Sequence, residues 1–506
     1  MKKMNLLVMS LVSAAALSFT SCSSNDDLAG NAGQEKVDGF YMTLTVQSPK
    51  SDGTRTAVID PTENATAEEA AIKTGTFYLV DKKNKIVYSE KLEKLSWSGE
   101  VKDDDSKKQD GNHTFEIKIP TVEAGQTYHV YFLAGSNTPT DGMNFADTSN
   151  NFFTAATNSF ASPFADANNF AMFNQNDAQV NGKGYSVTFI NANNNSKNPA
   201  KVTYTSADGN TTQKDAAIKV ERVVARIDAP NPGSSTVLAE APADASDALK
   251  VAMKDAKEKV GKIELTNYAI SNLANKSYVM QTWSADNKLL IPEGFSYYQP
   301  TADFGGDYDY KNGGFTTTEA TEKNYVFENN STTDPTTMYF EYKVTLKNDK
   351  FKIDADFKDG TFYRYNNVIY TSFAQIFEDY KDVTNLFGEG KNAGTMKAEL
   401  EDAKKVETGQ EVKDVETKLS EFRQKYHIEV FNEGKTYYKQ VIKDNHIGYA
   451  NAIQRNSIYR LKVNNIFNVG AQVPNGKPTE ENKFYYLNVT VTVNPWVLNE
   501  DNVNLQ

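Results

Sequence analysis

The chain has 506 residues and a formal net charge of −12, from 54 basic and 66 acidic side chains. That length allows two or three domains at roughly 150 residues each, and the acidic balance argues against nucleic acid as a partner, since phosphates need a basic face. A hydrophobic fraction of 39% with 27 Tyr and 28 Phe excludes a disordered chain and favours strands, while 4 His and 1 Cys exclude a Cys-rich zinc site and any intramolecular disulfide.

Lys2 and Lys3 precede an apolar run over residues 6–19, too short for a comfortable membrane span and laid out as a secretory signal peptide. The run ends in Phe19-Thr20-Ser21-Cys22, and this lone Cys after small residues looks like a bacterial lipobox. That resemblance implies cleavage before Cys22, acylation of its thiol and an outer-membrane lipoprotein precursor. Residues 1–21 are then the signal peptide and 22–38 an acidic tether. Ser23-Ser24-Asn25-Asp26-Asp27 is similar to the signal that sends lipoproteins to the outer surface in Bacteroidetes.

Beyond the tether, Met42, Leu44 and Val46 alternate with Tyr41, Thr43 and Thr45, the period of a half-buried strand. Further strands are predicted over 76–80, 85–89, 114–119 and 128–133. Residues 134–198 are rich in Asn, Ala, Phe and Ser and read as a long irregular excursion, with strand character at 186–190. A strand over 217–227 runs into Asp228-Ala229-Pro230-Asn231-Pro232-Gly233, a breaker run that sets a domain boundary at residue 230. A helix near 243–260 opens the second half, and strands follow over 262–270, 278–282, 338–346 and 352–357. Residues 373–426 read as a helical insertion, because Val412, Val415, Leu419, Phe422 and Tyr426 fall three and four apart on one apolar stripe. Strands over 456–467 and 484–493 complete the set. The fold is expected to be mainly β: two β-sandwich domains, 39–230 and 231–496, with helical insertions and a tail over 497–506.

The sequence carries no phosphate loop, dinucleotide fingerprint, nucleophile elbow or paired-His helix motif. No catalytic residue, cofactor or metal is therefore assigned, and the chain is not expected to be an enzyme. His113, His129, His427 and His446 lack metal-ligand spacing. The stretch from Asp354 to Gly360 has the wrong acidic spacing for a calcium loop, with Tyr365 where the bidentate glutamate belongs. Asp303, Asp307 and Asp309 lie among glycines and read as a solvated turn, with weak calcium binding the alternative. Trp97, Trp283 and Trp496 are scattered through the strand pattern and read as core.

Three segments stand out. One is the Met42–Val46 strand with the following Ser51-Asp52-Gly53-Thr54-Arg55-Thr56-Ala57; another is Val220-Glu221-Arg222-Val223-Val224-Ala225-Arg226. The third is the C-terminal pair, Arg455-Asn456-Ser457-Ile458-Tyr459 and the strand closing on Asn494-Pro495-Trp496. In this order, behind a lipobox, they resemble the fimbrillins of Bacteroidetes, the lipoprotein-derived subunits of type V pili. The likeness is greatest to the branch that forms the stalk of the shorter, minor-type fimbriae. The two sandwiches are then expected to be of transthyretin-like, Greek-key type.

The resemblance implies that an Arg-specific surface protease cuts after the first strand, at the matching Arg55–Thr56 bond, in a polar and turn-forming loop. Arg222 and Arg226, inside a strand, should be protected. Loss of Met42, Leu44 and Val46 would open an apolar groove worth roughly 1.5–3 kcal/mol per side chain. The resemblance further implies that the C-terminal tail of another copy fills this groove. Val497, Val503 and Leu505 share one face of that tail, interrupted by Asn499 and Asp501. Head-to-tail addition of this kind does not close and makes filaments. The implied partners are other copies of the chain, accessory fimbrial subunits, the protease and, before processing, the outer membrane; the implied role is surface fimbriae, adhesion and biofilm formation. Two other readings stay open: a tip or accessory adhesin, which needs no donor tail, and a surface glycan-binding lipoprotein, which would expose Trp platforms.

Overall fold

Alternating apolar and polar residues shape most of this chain, and strands dominate its structure. The computed structural model describes residues 39–47, 63–64, 66–92, 112–139, 142–145, 151–155, 161–175, 184–206, 209–233, 235–284, 288–292, 311–312, 323–350, 355–405, 412–444, 452–474 and 487–497. The expectations for Cys22, Arg55, Thr56, Val503 and Leu505 lie outside the described residues, as do those for Asp303, Asp307, Asp309, Trp97 and His446.

The described elements begin with β1 (Phe40–Gln47), β2 (Glu63–Asn64), the one-turn helix α1 (Ala67–Ala70), β3 (Gly75–Val80), β4 (Ile86–Leu92), β5 (Asn112–Ile119) and β6 (Thr127–Ala134). Short strands follow: β7 (Phe152–Thr154), β8 (Met172–Asn174), β9 (Gly184–Thr188), β10 (Ala200–Lys201), β11 (Thr203–Thr205) and β12 (Thr212–Lys214). Then come β13 (Ile218–Arg222) and β14 (Ala225–Asp228). All but β2, β7 and β14 join one eleven-stranded sheet. The single strand expected over 217–227 is in fact two. Val223 and Val224, both fully buried, carry the chain from β13 in the large sheet to β14 in another.

The second half contains α2 (Asp247–Lys259), capped by the Ser246 hydroxyl accepting from the Leu249 N–H, then β15 (Val260–Ser271), β16 (Lys276–Tyr278), β17 (Thr282–Trp283) and β18 (Leu289–Leu290). It continues with β19 (Lys311–Asn312), β20 (Lys323–Val326), β21 (Thr337–Leu346), β22 (Phe362–Tyr365) and β23 (Val368–Tyr370). The last elements are α3 (Phe373–Asp379), α4 (Ala393–Lys404), α5 (Val412–Tyr426), β24 (Glu429–Phe431), β25 (Lys435–Val441), β26 (Ser457–Ile466) and β27 (Leu487–Val497). Two sheets, ordered β2-β27-β26-β14-β20 and β19-β15-β21-β25, share one core. Ile227, Val326 and Tyr459 enter it from the first, Tyr268, Phe340 and Tyr438 from the second. The β7–β16 ladder ties the early excursion to this half of the chain.

Two local readings need correction. Residues 278–282 do not form one strand, since β16 ends at Tyr278 and β17 starts at Thr282. No strand lies over 355–357, the described part of the 352–357 expectation. The pairing there belongs instead to the β22–β23 hairpin, whose turn residues Asn366 and Asn367 take φ of 46° and 64°. Asn tolerates that left-handed region better than other side-chain-bearing residues, which suits a two-residue hairpin turn. The helical insertion is present as α3–α5. It closes its own core with β22–β24, burying Val415, Leu419, Phe422 and Tyr426 of the expected stripe with Phe373, Met396 and Leu400.

Candidate functional site

The period-two row that opens the chain is buried along its whole length. Phe40 is 5% exposed, and Met42, Leu44 and Val46 are completely enclosed, while Tyr41, Thr43, Thr45 and Gln47 are only half-covered. Phe40 packs on Phe189 with ring centroids 5.7 Å apart, and Phe189 in turn meets Tyr128 edge-on at 6.0 Å. β1 is not an edge strand. On one flank it pairs antiparallel with β5 over eight positions, Phe40–Ile119 through Gln47–Asn112. On the other it runs parallel to β10 at Met42–Ala200 and to β13 at Val46–Ile218. Laid antiparallel to β5 on one side and parallel to β10 and β13 on the other, β1 has no hairpin partner that dictates its place. Its side-chain row and two backbone ladders hold it.

The described segment that follows β1 is held in a different way. Thr66 and Glu69 form a reciprocal cap, the Thr66 N–H donating to the Glu69 carboxylate at 2.9 Å and the Glu69 N–H to the Thr66 hydroxyl at 3.3 Å. The Glu69 carboxylate, only 3% exposed, also accepts from Lys323 Nζ at 2.8 Å, Arg226 Nη1 at 3.2 Å and Tyr325 Oη at 3.2 Å. Burial alone would raise this carboxyl. The Lys323 hydrogen bond, the Thr66 N–H and the positive charges of Arg226 and Lys323 outweigh it and bring it down to about 2. Arg222, fully buried, donates from Nε to the Glu69 carbonyl at 3.0 Å and from Nη1 to Asn456 Oδ1 at 2.9 Å. Arg226 grips Asp228 with both arms of its fork, at 2.5 and 3.0 Å, and Arg460 reaches the same carboxylate at 2.8 Å.

The motif residues of the two later segments thus meet in one buried polar layer. Arg455, 0% exposed, completes it with an ion pair to Glu328 at 2.8 Å and donations to the Val279 and Tyr278 carbonyls at 2.9 and 2.6 Å. Arg222 and Arg226 are enclosed, as expected of strand arginines. Glu69 is the residue that sequence reasoning missed. The Thr66-x-x-Glu69 spacing announces a helix cap, yet nothing local reveals that the carboxylate faces Arg226, Lys323 and Tyr325, between 157 and 256 positions away.

The remaining candidates are placed plainly. Of the expected donor row, Val497 ends β27, where its backbone pairs with Asn64 of β2, and Trp496 pairs with Glu63. β26 holds β27 from Leu487 to Pro495. Asp356 accepts from the Phe373 N–H and the Tyr363 hydroxyl, and Asp359 binds Lys404 at 2.6 Å, so both carboxylates serve the fold. No cluster of three or more potential metal ligands occurs among the described residues.

Residues 429–502 match the family model described as major fimbrial subunit protein type IV, fimbrillin, C-terminal. Over that region the chain is similar to the fimbrillins. The matched span opens at β24 and takes in β25, β26 and β27. Among solved structures, a candidate cell adhesion protein from Parabacteroides distasonis is 15% identical, with 92% of this chain and 99% of that one covered and a TM-score of 0.44. A candidate cell adhesion protein from Bacteroides eggerthii is 11% identical over 92% and 98% of the two chains, with a TM-score of 0.40. A fimbrial assembly protein from Parabacteroides distasonis is 11% identical over 61% and 85%, with a TM-score of 0.31. No curated protein matches the sequence.

Proposed function

We propose that this chain is a structural stalk subunit of surface fimbriae, exported as a lipoprotein through Cys22, that polymerises by donor-strand exchange once its first strand is cut away. The observation that carries this reading is β1 itself, four buried side chains between backbone partners on both flanks. A strand so placed cannot leave without something taking its place. Its exit would expose an apolar trough and unpair backbone groups of β5, β10 and β13.

Magnitudes say when the exchange becomes possible. Four side chains at roughly 1.5–3 kcal/mol each hold β1 by about 6–12 kcal/mol, an upper bound on burial alone. While β1 is joined to the chain, it returns to its place from a local concentration of order millimolar. After a cut at Arg55–Thr56, it must also bear an association cost of about 4–15 kcal/mol. The same burial that secures the joined strand barely retains the separated one. A donor presented by a neighbouring subunit then competes on even terms. The lipid anchor would leave with the cut segment, so release from the membrane and chain growth become one event.

Incubating the purified precursor with an Arg-specific protease, and following mass by light scattering, tests this. Ordered polymers that appear only after a cut at Arg55 are the expected result. A cut species that stays monomeric would sink the stalk assignment. A chain ending at Val497 keeps β27 but lacks the tail; it should be cut normally and fail to extend the polymer.

A further inference from the structure

We infer that Glu69 anchors the chain behind the processing span, so that a cut there releases β1 but leaves β2 and α1 docked over the root of the C-terminal tail. The inference rests on the reading that a cut within residues 48–62 separates β1 from the rest of the subunit, and it adds what becomes of the other new end.

A freshly made N-terminus frays unless something ties it down. Here the tie is built from groups that lie outside β1. The Glu69 side chain takes hydrogen bonds from Lys323, Arg226 and Tyr325, and its carbonyl takes one from Arg222. The next residues add further points of attachment. The Asn168 N–H donates to the Glu68 carbonyl at 2.7 Å, Ile72 bridges Asn169 and is 4% exposed, and the Thr74 hydroxyl donates to Asn169 Oδ1 at 3.0 Å. At Gly75 the backbone approaches so closely that an added Cβ would sit 2.3 Å from the Phe132 ring. None of these partners belongs to β1.

Just ahead of this anchored stretch, β2 runs parallel to the end of β27, Glu63 beside Trp496 and Asn64 beside Val497. Residues 498–506 continue from there. Glu69 therefore fixes the strand that lies against the tail root, and through Arg222 and Asn456 the same network reaches the turn that launches β26. A segment that came loose on cutting would free the backbone of Trp496 and Val497 on that side.

The test uses the full chain with a recognition sequence for an unrelated site-specific protease placed within 48–62, so that the cut does not depend on Arg55. Hydrogen exchange is followed by mass spectrometry over residues 66–75, before and after the cut, in the wild type and in Glu69→Gln. The wild-type segment should exchange equally slowly in both states, whereas the variant should exchange about a hundredfold faster after the cut alone, as expected for lost hydrogen bonds to a charged group. Loss of protection in the cut wild type, or full protection in the cut variant, overturns the anchor. Should Glu69→Gln fail to fold, Tyr325→Phe removes one bond only and should give a smaller rise, again confined to the cut chain; no rise there also overturns it. Light scattering on the same samples reads polymer growth separately, so a chain that keeps its anchor but never assembles counts against the stalk reading and not against Glu69.

Discussion

The two sides of residues 48–62, where the cut is proposed, are held by opposite physics. β1, before it, is secured by apolar burial and backbone ladders, with Met42, Leu44 and Val46 fully enclosed. The Thr66–Gly75 stretch, behind it, is secured by a buried carboxylate that meets Arg226, Lys323 and Tyr325, with Arg222 on the backbone carbonyl of the same residue. An apolar row recognises any strand with suitable side chains at alternate positions, so its occupant can be exchanged. A buried carboxylate set among fixed donors has one fitting geometry, and removing one partner leaves the others unsatisfied. On the exchange reading, β1 is the interchangeable part of the chain and the Glu69 stretch the fixed one.

The sharpest way to break this comparison is to thin the apolar row. Leu44→Ala removes an enclosed side chain between β5 and its other neighbours and should cost about 2–5 kcal/mol of stability in the uncut precursor. The denaturant midpoint measures that loss. On the exchange reading, the cut variant should also polymerise faster, because its own strand leaves sooner. A loss below about 1 kcal/mol would mean that the row is not what holds β1.

Next in size is the acid response of the polar side. The Glu69 carboxyl sits at about 2 when folded, against an ordinary value of 4.5. Folding therefore favours its charged form. The stabilisation, about 3 kcal/mol, is fully present above pH 4.5 and is lost as the pH falls through 2. Urea unfolding of the wild type and Glu69→Gln at pH 7 and at pH 2.5 should show a gap that narrows in acid. A gap of equal size at both pH values would show that the carboxylate charge contributes nothing.

How much of this was legible beforehand follows from the range of the interactions. The β1 row is readable because alternation is local, and four residues suffice to see it. The α5 stripe is readable for the same reason at the helical period, and Leu419, Phe422 and Tyr426 are buried where that period puts them. The Asn366-Asn367 turn is equally local and carries a usable hairpin signal, which places strands on either side of it, at β22 and β23, and not over 352–357. The neighbours of β1 were not readable, since β10 and β13 lie far along the chain and pair with it in parallel. Nor was the role of Glu69, because a single sequence does not say which of 66 acidic residues meets a buried arginine.

A smaller effect sharpens the polar side. Tyr325→Phe keeps the ring that packs edge-on against Phe170, 5.3 Å away, and deletes the hydroxyl donating to Glu69. The cost should be about 1.5–3 kcal/mol at pH 7, as for a hydrogen bond to a charged group, and it should shrink in acid together with the Glu69 contribution. The same loss at pH 2.5 would place the hydroxyl's value elsewhere, in packing.

The smallest expected change lies at the rim of β1. Thr45 and Thr114 share a hydroxyl–hydroxyl hydrogen bond of 3.0 Å across the β1–β5 ladder, in a half-covered position that water can reach. Thr45→Val keeps the branched shape suited to a strand and removes one partner of the Thr114 hydroxyl where water can reach, so the cost should stay within about 1 kcal/mol. Measured beside Leu44→Ala, one position away on the opposite face, it separates burial from polar pairing within a single strand. Equal losses at the two positions would mean that β1 is held by specific polar contacts after all, and a strand held that way would not be easily replaced by a neighbour's.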